Sequence, residues 1–310
     1  MRTLEIVHRT RYEYAEPVTL GDYRLMFRPR DSHDLRLLYT GLTINPQAHV
    51  RYVHDAFGNS IAIAHFADEP VASLEFVSTI RLEHYGVQPD IAPIEEYART
   101  LPFSYLAEEA PDLTRYVERA YPDPNAIVST WVKQFLDDSH GNETFATLER
   151  ICKGIQQTLK YAMRFEIGTQ PPATTLETGG GTCRDYALLM MEGVRALGLA
   201  ARFVTGYLYD PMLDPAPGLQ ASPAYPHAWI EVYLPGAGWV EFDPTNGTVG
   251  TERLIRVAVG RDPEQAMPIK GSFVGSANLG INNIVDVQVR TLTPAPELPA
   301  QTETPAPAQR

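Results

Sequence analysis

The sequence predicts an α+β protein in two parts, an all-β segment over residues 1–85 and a mixed segment of helices and strands over 86–290. Three observations carry this. Apolar and polar residues alternate with period two through the first part, the period turns helical from Glu143, and short strand-like runs return after Leu197. With 310 residues, the chain is long enough for two ordinary domains.

In the first run Leu4, Ile6, His8, Thr10, Tyr12 and Tyr14 share one face, with Glu5, Arg9, Arg11 and Glu13 opposite. Tyr23 to Arg28 alternates again. Val50 to His65 reads as a hairpin around Asp55-Ala56-Phe57-Gly58-Asn59. Leu74, Phe76, Ser78, Ile80 and Leu82 mark the inner face of one more strand. Beyond Tyr85, Pro89, Pro93, Pro102, Pro111, Pro122 and Pro124 leave room only for short helices. Leu148, Ile151, Cys152, Ile155 and Leu159 then line one stripe of a longer helix. A polar loop from Gly168 to Gly181 leads to a second helix, Cys183 to Leu197, which Gly198 stops. Strands follow at Ala201–Tyr209, His227–Tyr233, Trp239–Phe242, Leu254–Val259 and Ile284–Val289. Residues 291–310 hold five prolines and no period, the composition of a disordered tail.

Composition excludes several functions. Against 26 Lys+Arg stand 38 Asp+Glu, a net charge of −12 with no basic run, so no nucleic-acid footprint is present. No run of 18 apolar residues would span a membrane. The opening MRTLEIVHRTRYEYAEP lacks the apolar core of a secretory signal, and the expected location is cytoplasmic. Two cysteines make no disulfide framework. Without an Asp-x-Asp-x-Asp-Gly loop or paired histidines, neither a calcium nor a zinc site is expected, and no cofactor is implied.

The chemistry concentrates at Gly179-Gly180-Gly181-Thr182-Cys183-Arg184-Asp185-Tyr186. Thr182 is a good N-cap, and Asp185 stands three residues on, where the return half of a capping box belongs. Cys183 then lies in the first turn of a helix, where free N–H groups and the helix dipole favour a thiolate and a developing oxyanion. The alternative is a buried, inert thiol, which is how Cys152 reads on its apolar stripe. A thiol nucleophile needs a base, and the base an orienter. His8, His49, His54 and His65 lie in or beside the first strands, His33 and His84 flank strands, and His140 sits in a polar turn. His227 instead opens His-Ala-Trp-Ile-Glu-Val-Tyr, and the following arm ends in Asp243.

Register decides whether the two meet. A five-residue loop, Tyr233 to Ala237, sets His227 opposite Asp243; a four-residue loop, Pro235 to Gly238, leaves Asp243 three positions away. The pairing therefore requires the first register or a bulge. Asp243 alone could equally be a turn-former before Pro244.

The blocks Gly-Gly-Gly-Thr-Cys183-Arg-Asp-Tyr-Ala, Gly198-Leu-Ala-Ala-Arg-Phe-Val-Thr-Gly-Tyr207, His227-Ala-Trp229 and Trp239-Val-Glu-Phe-Asp243-Pro-Thr resemble the transglutaminase-like superfamily of papain-type cysteine enzymes. The first 85 residues resemble the β-rich N-terminal domain of a bacterial branch, and Val257-Ala-Val-Gly-Arg-Asp262 that branch's closing segment. The resemblance implies a papain-like core, a nucleophile helix packed on an antiparallel sheet, preceded by an all-β domain. It implies Cys183 as nucleophile, His227 as base and Asp243 as orienter, with an acyl-enzyme released by water or an amine. The Cys183 N–H would be one oxyanion donor and Tyr161 a candidate for the other, unless Tyr161 is only a partly buried aromatic. The expected activity is that of an amide hydrolase or peptidase acting on a peptide or protein. A transamidase and a non-catalytic interaction module are the alternatives, the last disfavoured because Cys, His and Asp are all present.

Overall fold

The computed structural model describes residues 1–86, 93–137, 141–164, 166, 168–210, 223–224, 226–276 and 279–292. His140 and the tail from residue 293 lie outside the described residues. Five strands come first: β1 (Arg2–Arg28), β2 (Leu35–Asn45), β3 (His49–His54), β4 (Ser60–His65) and β5 (Pro70–His84). Helices α1 (Ala110–Val117), α2 (Ile127–Lys133) and α3 (Thr144–Thr158) follow. Next are β6 (Lys160–Tyr161), α4 (Pro172–Thr178), β7 (Gly180–Gly181) and α5 (Cys183–Ala196). The described chain ends with β8 (Ala201–Leu208), β9 (Pro223–Ala224), β10 (Pro226–Leu234) and β11 (Gly238–Asp243). After them come β12 (Thr248–Val249), β13 (Leu254–Gly260), β14 (Ile269–Val274) and β15 (Ile281–Thr291).

An antiparallel sheet of eight strands is built on β1, in the order β2-β5-β1-β15-β9, with β4 and β14 also on β1 and β3 on β4. The alternation read from the sequence fixes its inner face. Leu4, Ile6, His8, Thr10 and Tyr14 are buried, as are Leu74, Phe76, Ser78, Ile80 and Leu82 on β5. A slip of one residue would turn either set into water. The β3–β4 hairpin pairs His54 with Ser60, so its loop is Asp55–Asn59, as expected. Asp55 accepts the N–H groups of Phe57 and Asn59 at 2.9 Å, and Gly58 takes φ 75°.

A second antiparallel sheet has the order β12-β11-β10-β8-β13. Helix α5 lies on β10 and β8, flanked by α2, α3 and α4. It is therefore buried almost throughout, which explains why Leu188, Leu189, Met190 and Met191 run consecutively rather than in a stripe. The expected stripe on α3 is present, with Leu148, Ile151, Cys152 and Ile155 fully buried. The described residues form an α+β fold in which no helix is long and apolar enough to cross a membrane.

The two sheets pack directly on each other. Leu4, Ile6, Leu82, Val287 and Val289 meet Tyr207, Tyr209, Ile255 and Val257 in one buried cluster. His8 Nδ1 lies 2.9 Å from the Tyr207 hydroxyl, and Asn59 bonds both backbone groups of Val259.

Some elements differ from expectation. The strand expected at Ile284–Val289 within 86–290 is β15, and it joins the first sheet, running along β1 from Leu4↔Thr291 to Tyr14↔Ile281. A partner so distant in sequence leaves no trace in local periodicity. The loop expected from Gly168 to Gly181 contains α4, framed by Pro172 in its first turn and by Gly179 at φ 69°. Its seven residues are too few to display a helical stripe.

Candidate active site

The approach to Cys183 is set by glycine. β7 runs parallel to β6, with Lys160 N–H donating to Gly179 O at 2.9 Å and Ala162 N–H to Gly181 O at 3.0 Å. A Cβ on Gly180 would lie 2.3 Å from the Lys160 carbonyl oxygen, so no side chain fits there. The capping box then forms as expected. Thr182 N–H and its hydroxyl both donate to Asp185 Oδ2, at 2.8 and 2.9 Å. Cys183 opens α5 and is 9% exposed.

His227 and the Ala228 backbone N–H stand beside the Cys183 thiol, and both favour its anion. His227 Nε2 lies 2.8 Å from Asp243 Oδ2, which leaves Nδ1 for the sulfur. Asp243 is fully buried and further accepts Asn246 Nδ2 at 2.7 Å and the Thr245 N–H at 3.0 Å. Trp229 stacks on the imidazole at 5.9 Å between centroids and 27° between planes. Cys183, His227 and Asp243 are thus brought together. The register that does so is neither of the two considered. Leu234 pairs with Gly238 and Val232 with Val240, so the turn is Pro235-Gly236-Ala237. Counting on, Asp243 faces Trp229 and reaches His227 diagonally along the same face. No bulge is needed.

The charges support one another. Burial alone would raise the Cys183 thiol, but the His227 bond and charge, the Ala228 N–H and nearby Arg184 hold it below its ordinary value. Burial alone would lower His227, and the Asp243 carboxylate and the sulfur instead push it up to about 10. Asp243 stays below the usual carboxylate range despite its burial, because His227, Asn246 and Thr245 all favour its anion. An imidazolium facing a thiolate is the state these shifts favour. Cys152 is the contrast: burial and the nearby Asp243 charge raise its thiol, whose Sγ lies 3.6 Å from Thr248 O.

Tyr161 is a partly buried aromatic placed next to Cys183. The residue is 49% exposed, and its hydroxyl stands beside the Cys183 thiol and backbone N–H. The two oxyanion candidates therefore lie side by side. Three further participants escaped the sequence reading. Arg164 forks onto Asp185 at 2.9 and 3.0 Å, the Gln170 N–H donates to Asp185 at 2.8 Å, and Asn246 holds Asp243. Only Asn246 carried a local signal, standing three residues past Asp243 in a Pro-containing turn. Among the described residues no group of three or more His, Cys, Asp or Glu side chains could hold a metal ion.

Comparison with known proteins shows the family and the fold. Residues 115–244 match the transglutaminase-like superfamily, and residues 4–83 match the bacterial transglutaminase-like N-terminal region. An uncharacterized protein of Mycobacterium leprae (strain TN) is 26% identical over 93% of this chain and 99% of its own. A Pseudomonas aeruginosa protein named protein-glutamine gamma-glutamyltransferase is 30% identical over 146 residues, 44% of this chain and 18% of that one. A crystal structure from Cytophaga hutchinsonii, provisionally named a cysteine protease, superposes with TM-score 0.72 at 20% identity. It covers 94% of this chain and 91% of that one, a likeness of fold. With one family match on each of its two parts, the chain belongs to the transglutaminase-like superfamily, in the bacterial group that carries this N-terminal region.

Proposed function

We propose that this protein is a cysteine peptidase, hydrolysing amide bonds of a peptide or protein through Cys183, His227 and Asp243. One observation carries the reading: His227 bridges the Cys183 thiol and the Asp243 carboxylate while the Tyr161 hydroxyl stands at the Cys183 N–H. The thiolate attacks the carbonyl carbon and forms the C–S bond. The carbonyl oxygen takes the negative charge between the Cys183 N–H and the Tyr161 hydroxyl. As the C–N bond breaks, the imidazolium gives its proton to the leaving nitrogen, and a thioester remains. Water then surrenders a proton to His227, attacks the thioester and releases the acid, restoring the thiolate and imidazolium. Asp243 fixes the ring and favours its charged form without itself taking the proton.

A second reading, a transamidase, is favoured by the name of the Pseudomonas aeruginosa relative, and it differs only in an amine replacing the water. In either case we assign the first sheet to supporting the cleft, since Met26 and Ile61 pack into the cluster that contains Cys183. Incubation with denatured casein, followed by mass spectrometry, tests the peptidase. New peptide termini are expected from the native protein and none from Cys183→Ala; equal cleavage by both would refute the assignment.

A further inference from the structure

Arg164 belongs to none of the blocks that mark the site, yet it ties together the two donors of the proposed oxyanion pocket. Its Nε donates to Asp185 Oδ2 at 2.9 Å and its Nη2 to Oδ1 at 3.0 Å, a fork on a carboxylate that is wholly buried. Nη2 also reaches Gly168 O at 3.2 Å, and Nη1 pairs with Glu166 at 3.4 Å. The same Asp185 receives the Thr182 N–H and hydroxyl and the Gln170 N–H. Thr182 immediately precedes Cys183, so Asp185 fixes the turn from which the Cys183 N–H points.

Tyr161 lies three residues before Arg164, on the other side of this clamp. Its backbone is pinned by the bonds of Lys160 and Ala162 to Gly179 and Gly181. Its half-exposed ring meets the Tyr186 ring edge-on, 6.2 Å between centroids. The β6–β7 bonds set the course of the Tyr161 backbone, and three residues on the Arg164 fork ties the same segment to the first turn of α5. An oxyanion pocket tolerates errors of only about 0.5 Å, and lysine, with a single rotating ammonium, cannot reproduce a two-pronged bond.

We propose that Arg164 is a positioning residue: through Asp185 it sets the Tyr161 hydroxyl against the Cys183 backbone N–H, so that both meet the substrate's carbonyl oxygen. The inference rests on the acyl-transfer reading above, and its test keeps the two apart. 4-Nitrophenyl acetate serves as acyl donor; iodoacetamide is the control, because displacement of iodide by the thiolate needs no oxyanion.

Arg164→Lys and Arg164→Gln should each lower the Cys183-dependent rate of nitrophenolate release about tenfold or more, in kcat rather than KM. Alkylation of Cys183 and the thermal midpoint of Arg164→Lys should stay near native. In a Tyr161→Phe background, Arg164→Lys should cost less than about twofold more, because the pocket is already broken, whereas independent residues would multiply. Full activity of Arg164→Lys, multiplying effects, or a parallel fall in alkylation would overturn the positioning role. If Tyr161→Phe alone changed nothing, the pocket would be elsewhere and the inference would fall with it. Native release no faster than that of Cys183→Ala would overturn the acyl-transfer reading itself.

Discussion

His227 and Asp243 are 2.8 Å apart without being cross-strand partners. The strand register sets Asp243 opposite Trp229, and the contact runs along the diagonal to the residue two before it. Such a diagonal is too long for two short side chains, but the imidazole spans it. Trp229, stacked on the ring, keeps the imidazole leaning that way.

This geometry predicts unequal losses in the three residues. His227→Ala should abolish turnover of a peptide substrate nearly as fully as Cys183→Ala. Asp243→Asn should retain a remnant, losing about two to four orders of magnitude in kcat. The pH profile supplies the sign. Asp243 raises His227, so its removal lowers the pH at which the imidazolium is lost, and the alkaline limb of activity moves to lower pH. A native-like alkaline limb in Asp243→Asn would mean that the carboxylate does not govern the ring.

The two cysteines should differ sharply toward iodoacetamide. Near about pH 6.5, Cys183 should alkylate at least tenfold faster than Cys152, because only its thiol is held below the ordinary value. Peptide mapping after partial labelling measures the ratio. Comparable labelling of both would remove Cys183 as the nucleophile.

The start of α5 was legible because the capping box is local: Thr182 and Asp185 stand three residues apart and need no knowledge of the rest of the chain. The buried face of β1 was legible for the same reason, since alternation is a property of neighbours. The hairpin register was not. Pro235-Gly236-Ala237-Gly238 offers two glycines to a turn, and both take positive φ, 85° and 75°, so several loop lengths satisfy the same letters. Arg164 was invisible because its partner lies 21 residues away in another element. β15 was found as a strand but not as a neighbour of β1, because pairing across nearly the whole chain depends on the closed fold.

Gly206 should tolerate no side chain. It sits opposite His227 on β8, and a Cβ there would lie 2.0 Å from Ile255 O and 2.8 Å from the Trp229 ring. Gly206→Ala must therefore displace β13 or shift the Trp229 ring that stacks on His227. Urea unfolding should show a loss of about 1–3 kcal/mol, with acylation falling beyond what the unfolded fraction explains. Native stability together with native activity would contradict the packing described.

Glu241 should cost stability at neutral pH. It is 3% exposed and directly opposite Glu231, which Arg202 and Arg256 already engage. Arg256 Nη1 reaches Glu241 Oε1 at 3.1 Å, while Oε2 has no hydrogen-bond partner among the described residues. Burial first, then the charges of Glu231 and Asp34, raise Glu241 well above the ordinary 4.5, against the pull of Arg256. The folded state thus keeps a proton that the unfolded state gives up. Stability falls as pH rises from the unfolded value toward the folded one. Glu241→Gln should stabilise by about 1–2 kcal/mol at neutral pH, with the gain vanishing in acid below the unfolded value. A gain independent of pH would show that charge is not its cause.

The choice between water and an amine rests on what borders Cys183. A transamidase must admit an amine while excluding far more concentrated water, which calls for a shielded channel. Trp229 is fully buried against His227 and walls no opening. Trp239 lies near the turn end of the hairpin, between Tyr116 and Tyr233, with the Arg202 guanidinium 4.2 Å from its ring centroid. Trp131 packs on Phe135. A cationic amine would also gain from a spare carboxylate. Yet among the described residues Asp185 and Glu166 are engaged by Arg164, and Asp243 by His227 and Asn246. Arg184 instead brings a positive charge near the sulfur, which disfavours a lysine or polyamine. Hydrolysis should therefore dominate. The partition is measured by incubating the protein with a peptide substrate and millimolar methylamine, then weighing the products. Mostly free acid is expected; mostly N-methylamide would reverse the choice of acceptor and leave the thioester at Cys183 in place.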